Sequence, residues 1–176
     1  MSPRVEATHI WPADSTEPIS VAALDLDWGG PIGDRHHGEL MTSDTRQSRV
    51  FPRGTTIRNH RQLSLIDTDE LARIARALTI PRIDPGVIAD NICTSGIDQL
   101  TQLPRMTRLA FPSGAVVLLG GPNDPCTIAG EMVARSYGSR PESFPKAAIG
   151  QRGVTGWVEH PGTVRPGDPI TVIPPD

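Results

Sequence analysis

Cys126 lies in Gly121-Pro122-Asn123-Asp124-Pro125-Cys126-Thr127, a turn-rich stretch between an apolar run and a helical pattern. A sulfur at the start of a helix meets free backbone N–H groups and the positive end of the helix dipole, which favour thiolate. Thiolate is the form that ligates a soft metal or carries a persulfide. The plain alternative is an inert thiol, because free cysteine is among the most buried residue types. Cys93, inside the strand-like Asn91-Ile92-Cys93-Thr94, fits that description better. A Cys93–Cys126 disulfide is disfavoured in a cytosolic setting.

Three further segments carry charge where chemistry could use it. Between Thr42 and Gln62 stand Arg46, Arg49, Arg53, Arg58 and Arg61, opposed only by Asp44. Guanidinium groups pair with phosphate or carboxylate in two-pronged fashion, so this is a candidate anion site; a solvated loop would have the same composition. Gly33-Asp34-Arg35-His36-His37-Gly38 brackets four polar residues with glycines, as in a loop whose backbone approaches a ligand or simply turns. Its two histidines are adjacent, so on extended chain they point apart and are poor candidates to share one metal ion. The chain holds no Cys/His array of zinc spacing. Arg152 stands beside Gly153 and says little alone.

These residues need a framework, and one helix is clear. Asp67 and Glu70 have the spacing of a capping box, and Ile66 and Leu71 that of a hydrophobic staple. Leu71, Ile74, Ala75 and Leu78 form one apolar face, and Pro81 closes the segment. Strand-like runs cover Ile19–Leu26, Gln62–Ile66, Val87–Thr94, Thr107–Phe111, Ala115–Leu119 and Pro169–Ile173. Pro112-Ser113-Gly114 predicts a hairpin turn, and Arg165-Pro166-Gly167-Asp168 a turn into the last strand. A second helix follows Cys126 toward Tyr137, and a short one starts near Phe144. Short strands, few helices and 35 Gly plus Pro residues point to a mostly β fold, a β-barrel with a few peripheral helices.

Composition narrows the function. The 176 residues suit one domain, with residues 1–20 as an N-terminal arm. A net charge of −3 argues against nucleic acid as a general partner. The N-terminus lacks the apolar stretch of a signal peptide, and the longest fully apolar run, Ala115 to Leu119, is too short for a bilayer. A cytoplasmic location without membrane contact is the expectation.

Taken in order, the segments resemble the MOSC domain, found at the C-terminus of molybdenum cofactor sulfurases and as stand-alone bacterial proteins. They are Gly33–Gly38, Asn59–Ile66 running into the helix, Gly86-Val87-Ile88-Ala89-Asp90-Asn91-Ile92, Leu103 to Gly114, Pro125-Cys126, Arg152-Gly153-Val154 and Gly162–Asp168. One departure is Asp90, where many relatives carry Glu. The resemblance implies a β-barrel and a sulfur-carrying or molybdenum-ligating cysteine, here Cys126. It implies that Arg58, Arg61 and Arg152 hold the phosphate of a pyranopterin molybdenum cofactor, with Asn91 beside it. Asp34, Arg35, His36 and His37 would shape the pocket. Pyridoxal phosphate belongs to a separate desulfurase domain of the wider family and is not expected here. A cysteine desulfurase or a molybdoenzyme is the implied partner. The implied activity is either cofactor sulfuration or reduction of N-hydroxylated compounds, with a non-catalytic cofactor-delivery module as the alternative. A cysteine hydrolase is the outsider, for lack of a sequence-local histidine base.

Overall fold

Asp67 caps a helix as its spacing predicts: its carboxylate accepts from the Asp69 amide, and the Glu70 side chain reaches back to the Asp67 amide. The helix, α1, runs Thr68–Ala77 in a computed structural model that describes residues 2–175. Met1 of the N-terminal arm lies outside the described residues. Leu71, Ile74 and Ala75 are buried on one face with Ile66, which completes the staple. Leu78 is the C-cap.

The strands are short, as the Gly/Pro punctuation requires. They are β1 Arg4–Ile10, β2 Ile19–Ser20, β3 Leu24–Asp27, β4 Gly30–Pro31, β5 Leu40–Thr42, β6 Thr56–Arg58 and β7 Leu63–Asp67. After α1 come β8 Ile92–Ser95, β9 Arg108–Ala110, β10 Val116–Pro122, helices α2 Thr127–Tyr137 and α3 Phe144–Ala148, then β11 Val154–His160, β12 Gly162–Val164 and β13 Thr171–Ile173. Eight strands form one sheet in the order β13-β9-β10-β11-β7-β8-β1-β2. Three more make a small sheet, and β5 and β6 pair as a separate ribbon. The predicted hairpin is β9–β10, closed by the Phe111–Ala115 and Gly114–Phe111 backbone bonds.

The two faces of β7 and β8 feed two cores. Leu65 and Ile92 join Leu109, Leu119 and Val154 on one side, while Ile66 and Cys93 pack under the helices with Ile74, Val133 and Phe144 on the other. Alternation along a strand puts neighbours on opposite faces. β7 and β8 are the parallel pair, joined through α1, and burial on both faces is usual for parallel strands.

The mostly β class is borne out; among the described residues β1 meets the segment before β13 through the Arg4–Pro169 bridge and backbone bonds Val5–Asp168, Gly167–Val5 and Ile170–Pro3, without a continuous ladder that would close the sheet. Two expectations need correction. The predicted Val87–Thr94 strand starts only at Ile92, because Gly86 and Ala89 take positive φ and the backbone turns through Val87 and Ala89. The Ile19–Leu26 run breaks into β2 and β3. The arm itself is structured, since β1 pairs with β8 inside the main sheet.

Candidate functional site

β10 ends at Pro122, and Asn123 to Pro125 carry the chain to Cys126, the N-cap of α2. A serine or aspartate at that position would spend its side chain on the helix amides. Cys126 makes no such bond and its side chain is exposed, so the sulfur is left for other chemistry. Cys93 is its opposite: fully buried, with burial pushing its thiol far above the ordinary range and nearby carboxylates adding to that. Both thiols are free.

Cys126 lies on a cleft of about 510 Å³, along with Arg35, His36, His37, Arg61, Asn91 and Arg152. Arg152 is 6 % exposed, an unusual burial for a guanidinium. Its Nη2 donates to the Ile88 carbonyl at 2.7 Å, while Nε and Nη1 have no partner. Gly153 explains its placement: φ is +79°, and a Cβ there would collide with the Leu65 carbonyl, so the chain can pass this close to β7 only without a side chain. Burial depresses the basicity of Arg152, against the opposing charges of Asp90 and Cys126.

Arg61 is half-buried and reaches Asn123 Oδ1 at 3.0 Å and Thr155 Oγ1 at 3.4 Å. Burial lowers its pKa, and the like charges of Arg46 and Arg152 lower it further against Asp124 and Asp44. Arg35, Arg46, Arg61 and Arg152 outnumber Asp44 and Asp124 in the cleft lining, and net positive charge in a concave wall favours an anion.

The Gly33–Gly38 loop frames the rim. Asp34 does not line the cleft; its buried carboxylate clips the loop together, accepting from the amides of Trp11 and His36 and from Asn91 Nδ2. Arg35 stacks on the Trp11 ring at 3.8 Å and donates to the carbonyls of Pro12 and Ser15. The two histidines diverge: His36 Nδ1 lies 3.0 Å from Asp34 Oδ1, and His37 Nε2 lies 2.7 Å from Asp27 Oδ1. Asn91 bridges walls, donating to His9 O and Asp34 while accepting from the Ser64 amide.

Arg58 is not brought to this site. It is exposed on β6, paired with Glu39 at 2.8 Å, and faces a separate, smaller cavity. Sequence reasoning missed Asn59, Asn123 and Thr155. Asn59 ties the segment to the loop by donating to His36 O and Gly38 O and accepting from the Arg61 amide. The Asn123 in the turn before Cys126 was the available signal. Lys146, the chain's one lysine, is exposed on α3 and away from the cleft. Among the described residues no three His, Cys, Asp or Glu side chains gather as a metal cage. No helix among them is long and apolar enough to cross a membrane.

A family model described as MOSC domain matches residues 34–171. The chain is 38% identical over 175 residues to YuaD of Bacillus subtilis strain 168, covering 98% of this chain and 91% of that one. YuaD is provisionally named as a metal-sulfur cluster biosynthesis protein. The crystal structure of Bacillus subtilis YuaD superposes with a TM-score of 0.93 at 36% identity, over 100% of this chain and 98% of the other. YiiM from Geobacillus stearothermophilus shares the fold at a TM-score of 0.67 and 13% identity, over 97% of this chain and 75% of its own.

Proposed function

The chain belongs to the MOSC domain family, and from that premise we propose that it binds a phosphate-bearing molybdenum cofactor in the cleft and uses Cys126 to carry sulfur for it. One observation supports this above the rest: an exposed cysteine shares a cleft with a buried arginine that keeps two N–H donors unpartnered. A buried donor without a partner costs roughly 1–3 kcal/mol, which an anionic ligand would recover. The residues therefore fit the group. Arg152 and Arg61 would take its phosphate, Asn91 and Asn123 would border it, and Cys126 would face its metal or sulfur end. When bound, the cofactor supplies the redox and sulfur-accepting metal chemistry that no side chain here provides.

Exposure of Cys126 favours the carrier role, since a donor must reach the sulfur. In that role the Cys126 thiolate attacks the outer sulfur of a donor persulfide. The donor's S–S bond breaks, the donor thiolate leaves with the electron pair, and Cys126 holds the outer sulfur for the next acceptor. A cysteine desulfurase is the partner class that supplies such a persulfide, and a molybdoenzyme the class that would receive the sulfurated cofactor. The name of YuaD points the same way, toward assembly of metal and sulfur. The second reading has Cys126 ligate molybdenum, with the protein reducing N-hydroxylated compounds; a cleft of this volume is within the range of small-molecule sites. A cofactor store or delivery module is the third, and it requires loading without turnover.

Mass spectrometry after exposure to a persulfide donor tests the carrier role. The Cys126 peptide should gain one sulfur atom, iodoacetamide should alkylate that outer sulfur, and a reductant should then remove sulfur and label together, while Cys93 stays unmodified in the folded protein. Sulfur found on Cys93, or none on Cys126, would remove the carrier role.

A further inference from the structure

Four buried polar atoms without a hydrogen-bond partner belong to three residues: His9 Nδ1, Asp90 Oδ2, and Nε and Nη1 of Arg152. Arg152 lines the cleft, His9 lies on β1, and Asp90 stands in the turn before β8. His9, 4 % exposed, lies with its ring against Gly86, where a Cβ would come within 2.6 Å of His9 Cδ2. The Gly86 amide donates to Asp90 Oδ1 at 2.9 Å, and Asp90 Oδ2 lies 3.7 Å from His9 Nδ1, too long for a hydrogen bond. The positive φ of Ala89 turns the chain so that Asp90 and Asn91 go to different partners, Asn91 to Asp34 and Asp90 into this cluster.

Asp90 is 1 % exposed. Arg152 reaches the same turn, its Nη2 donating at 2.7 Å to the carbonyl of Ile88, two residues before Asp90. Burial raises the Asp90 pKa and lowers that of Arg152; the charges of His9 and then Arg152 act to hold Asp90 ionised, and Asp90 acts to hold Arg152 protonated. An uncompensated charge in such a place is strongly disfavoured. No described residue offers either partner a hydrogen-bonded ion pair that would use the spare atoms.

We propose that Asp90, with His9 behind it, is the internal counter-ion of Arg152, balancing the buried guanidinium in the ligand-free protein and competing electrostatically with any anion that Arg152 binds. This rests on the reading of the cleft as an anion site. Asp90 is thus a positioning residue that weakens anion binding as it stabilises the fold. A purely structural aspartate would do only the second.

Thermal melts and calorimetric titration with sulfate, a dianion whose charge is constant across neutral pH, test it. Asp90→Asn should melt lower than wild type without sulfate and bind sulfate tighter, by roughly tenfold for one like charge removed nearby. Arg152→Met should also melt lower, because Asp90 is then the unbalanced charge. The Asp90→Asn/Arg152→Met double variant should melt higher than either single, or fold where a single does not. A double variant no more stable than both singles overturns the pairing. So does an Asp90→Asn protein that binds sulfate no tighter than a wild type that binds it. Failure of wild type to bind sulfate at all counts instead against the anion reading of the cleft, and the melts still decide the counter-ion.

Discussion

Arg58, Arg61 and Arg152 look alike in the sequence, yet the fold separates the first from the other two. Arg58 spends its charge on Glu39 at an exposed surface, where such pairs contribute little. Arg61 and Arg152 line the cleft, and their pKa values are depressed by burial first. Arg61→Ala should therefore weaken binding of inorganic phosphate by about 1.5–3 kcal/mol, the scale of a hydrogen bond to a charged group. Arg61→Lys should recover only part of that, since the planar fork that spans Asn123 and Thr155 is lost. Arg58→Ala should leave phosphate affinity within error of wild type. Equal losses in Arg58→Ala and Arg61→Ala titrations would show that general surface charge, not this cleft, holds the anion. Residue type alone could not separate these arginines, because burial depends on Gly153 and the Ile88 carbonyl, set by contacts distant in the chain. Cys126 was separable from Cys93, since turn chemistry before it and helix pattern after it are local signals.

α1 was legible because its cap, staple and apolar face all lie within a dozen residues. Leu71→Ala or Ile74→Ala should cost about 2–5 kcal/mol in denaturant unfolding, both side chains being at most 2 % exposed. A loss under half a kcal/mol would mean that the face is not packed as described. The Val87–Ala89 segment was misread as strand for the opposite reason: its apolar run is strand-like, but the turn depends on Ala89 holding a positive φ, which tertiary contacts such as Ser64 Oγ to Ala89 O support. The Gly33–Gly38 loop owes its shape to Asp34. Burial works to raise the Asp34 pKa, but bonds from His36, Trp11 and Asn91 outweigh it and leave it below its ordinary value of 3.8. A carboxyl depressed on folding stabilises fully above its unfolded pKa, and that contribution fades as pH falls below it. Asp34→Asn should thus lower stability at pH 7 and flatten the loss that sets in as pH falls below the ordinary carboxyl value of 3.8. Parallel acid limbs for mutant and wild type would exclude Asp34 from that loss.

At the scale of the whole molecule, the order of weak motifs outweighed any one of them. The mostly β class, the hairpin and the helix after Cys126 follow from local pattern, and the family match over residues 34–171 agrees with the motif order. Barrel closure was not legible, because it depends on how the two ends of the chain pair, and among the described residues they meet through the Arg4–Pro169 bridge and a few backbone bonds around Asp168 rather than a continuous ladder. The β7-α1-β8 crossover puts Leu63 and Ser64 on the cleft floor, β10 leads to Cys126, and β11 begins just after Arg152, so three neighbouring strands of the main sheet deliver the site. That convergence is the reason to assign the cleft one ligand. The most direct test is metal analysis together with pterin fluorescence on protein isolated from a host that makes the molybdenum cofactor. Wild type should carry molybdenum and pterin in a fixed ratio, and Arg152→Met should lose both. Cys126→Ser should keep its fold but carry no transferable sulfur, and lose the metal if the sulfur is also its ligand. Wild-type protein purified without molybdenum or pterin, and unable to take up the cofactor when it is supplied, would contradict the account.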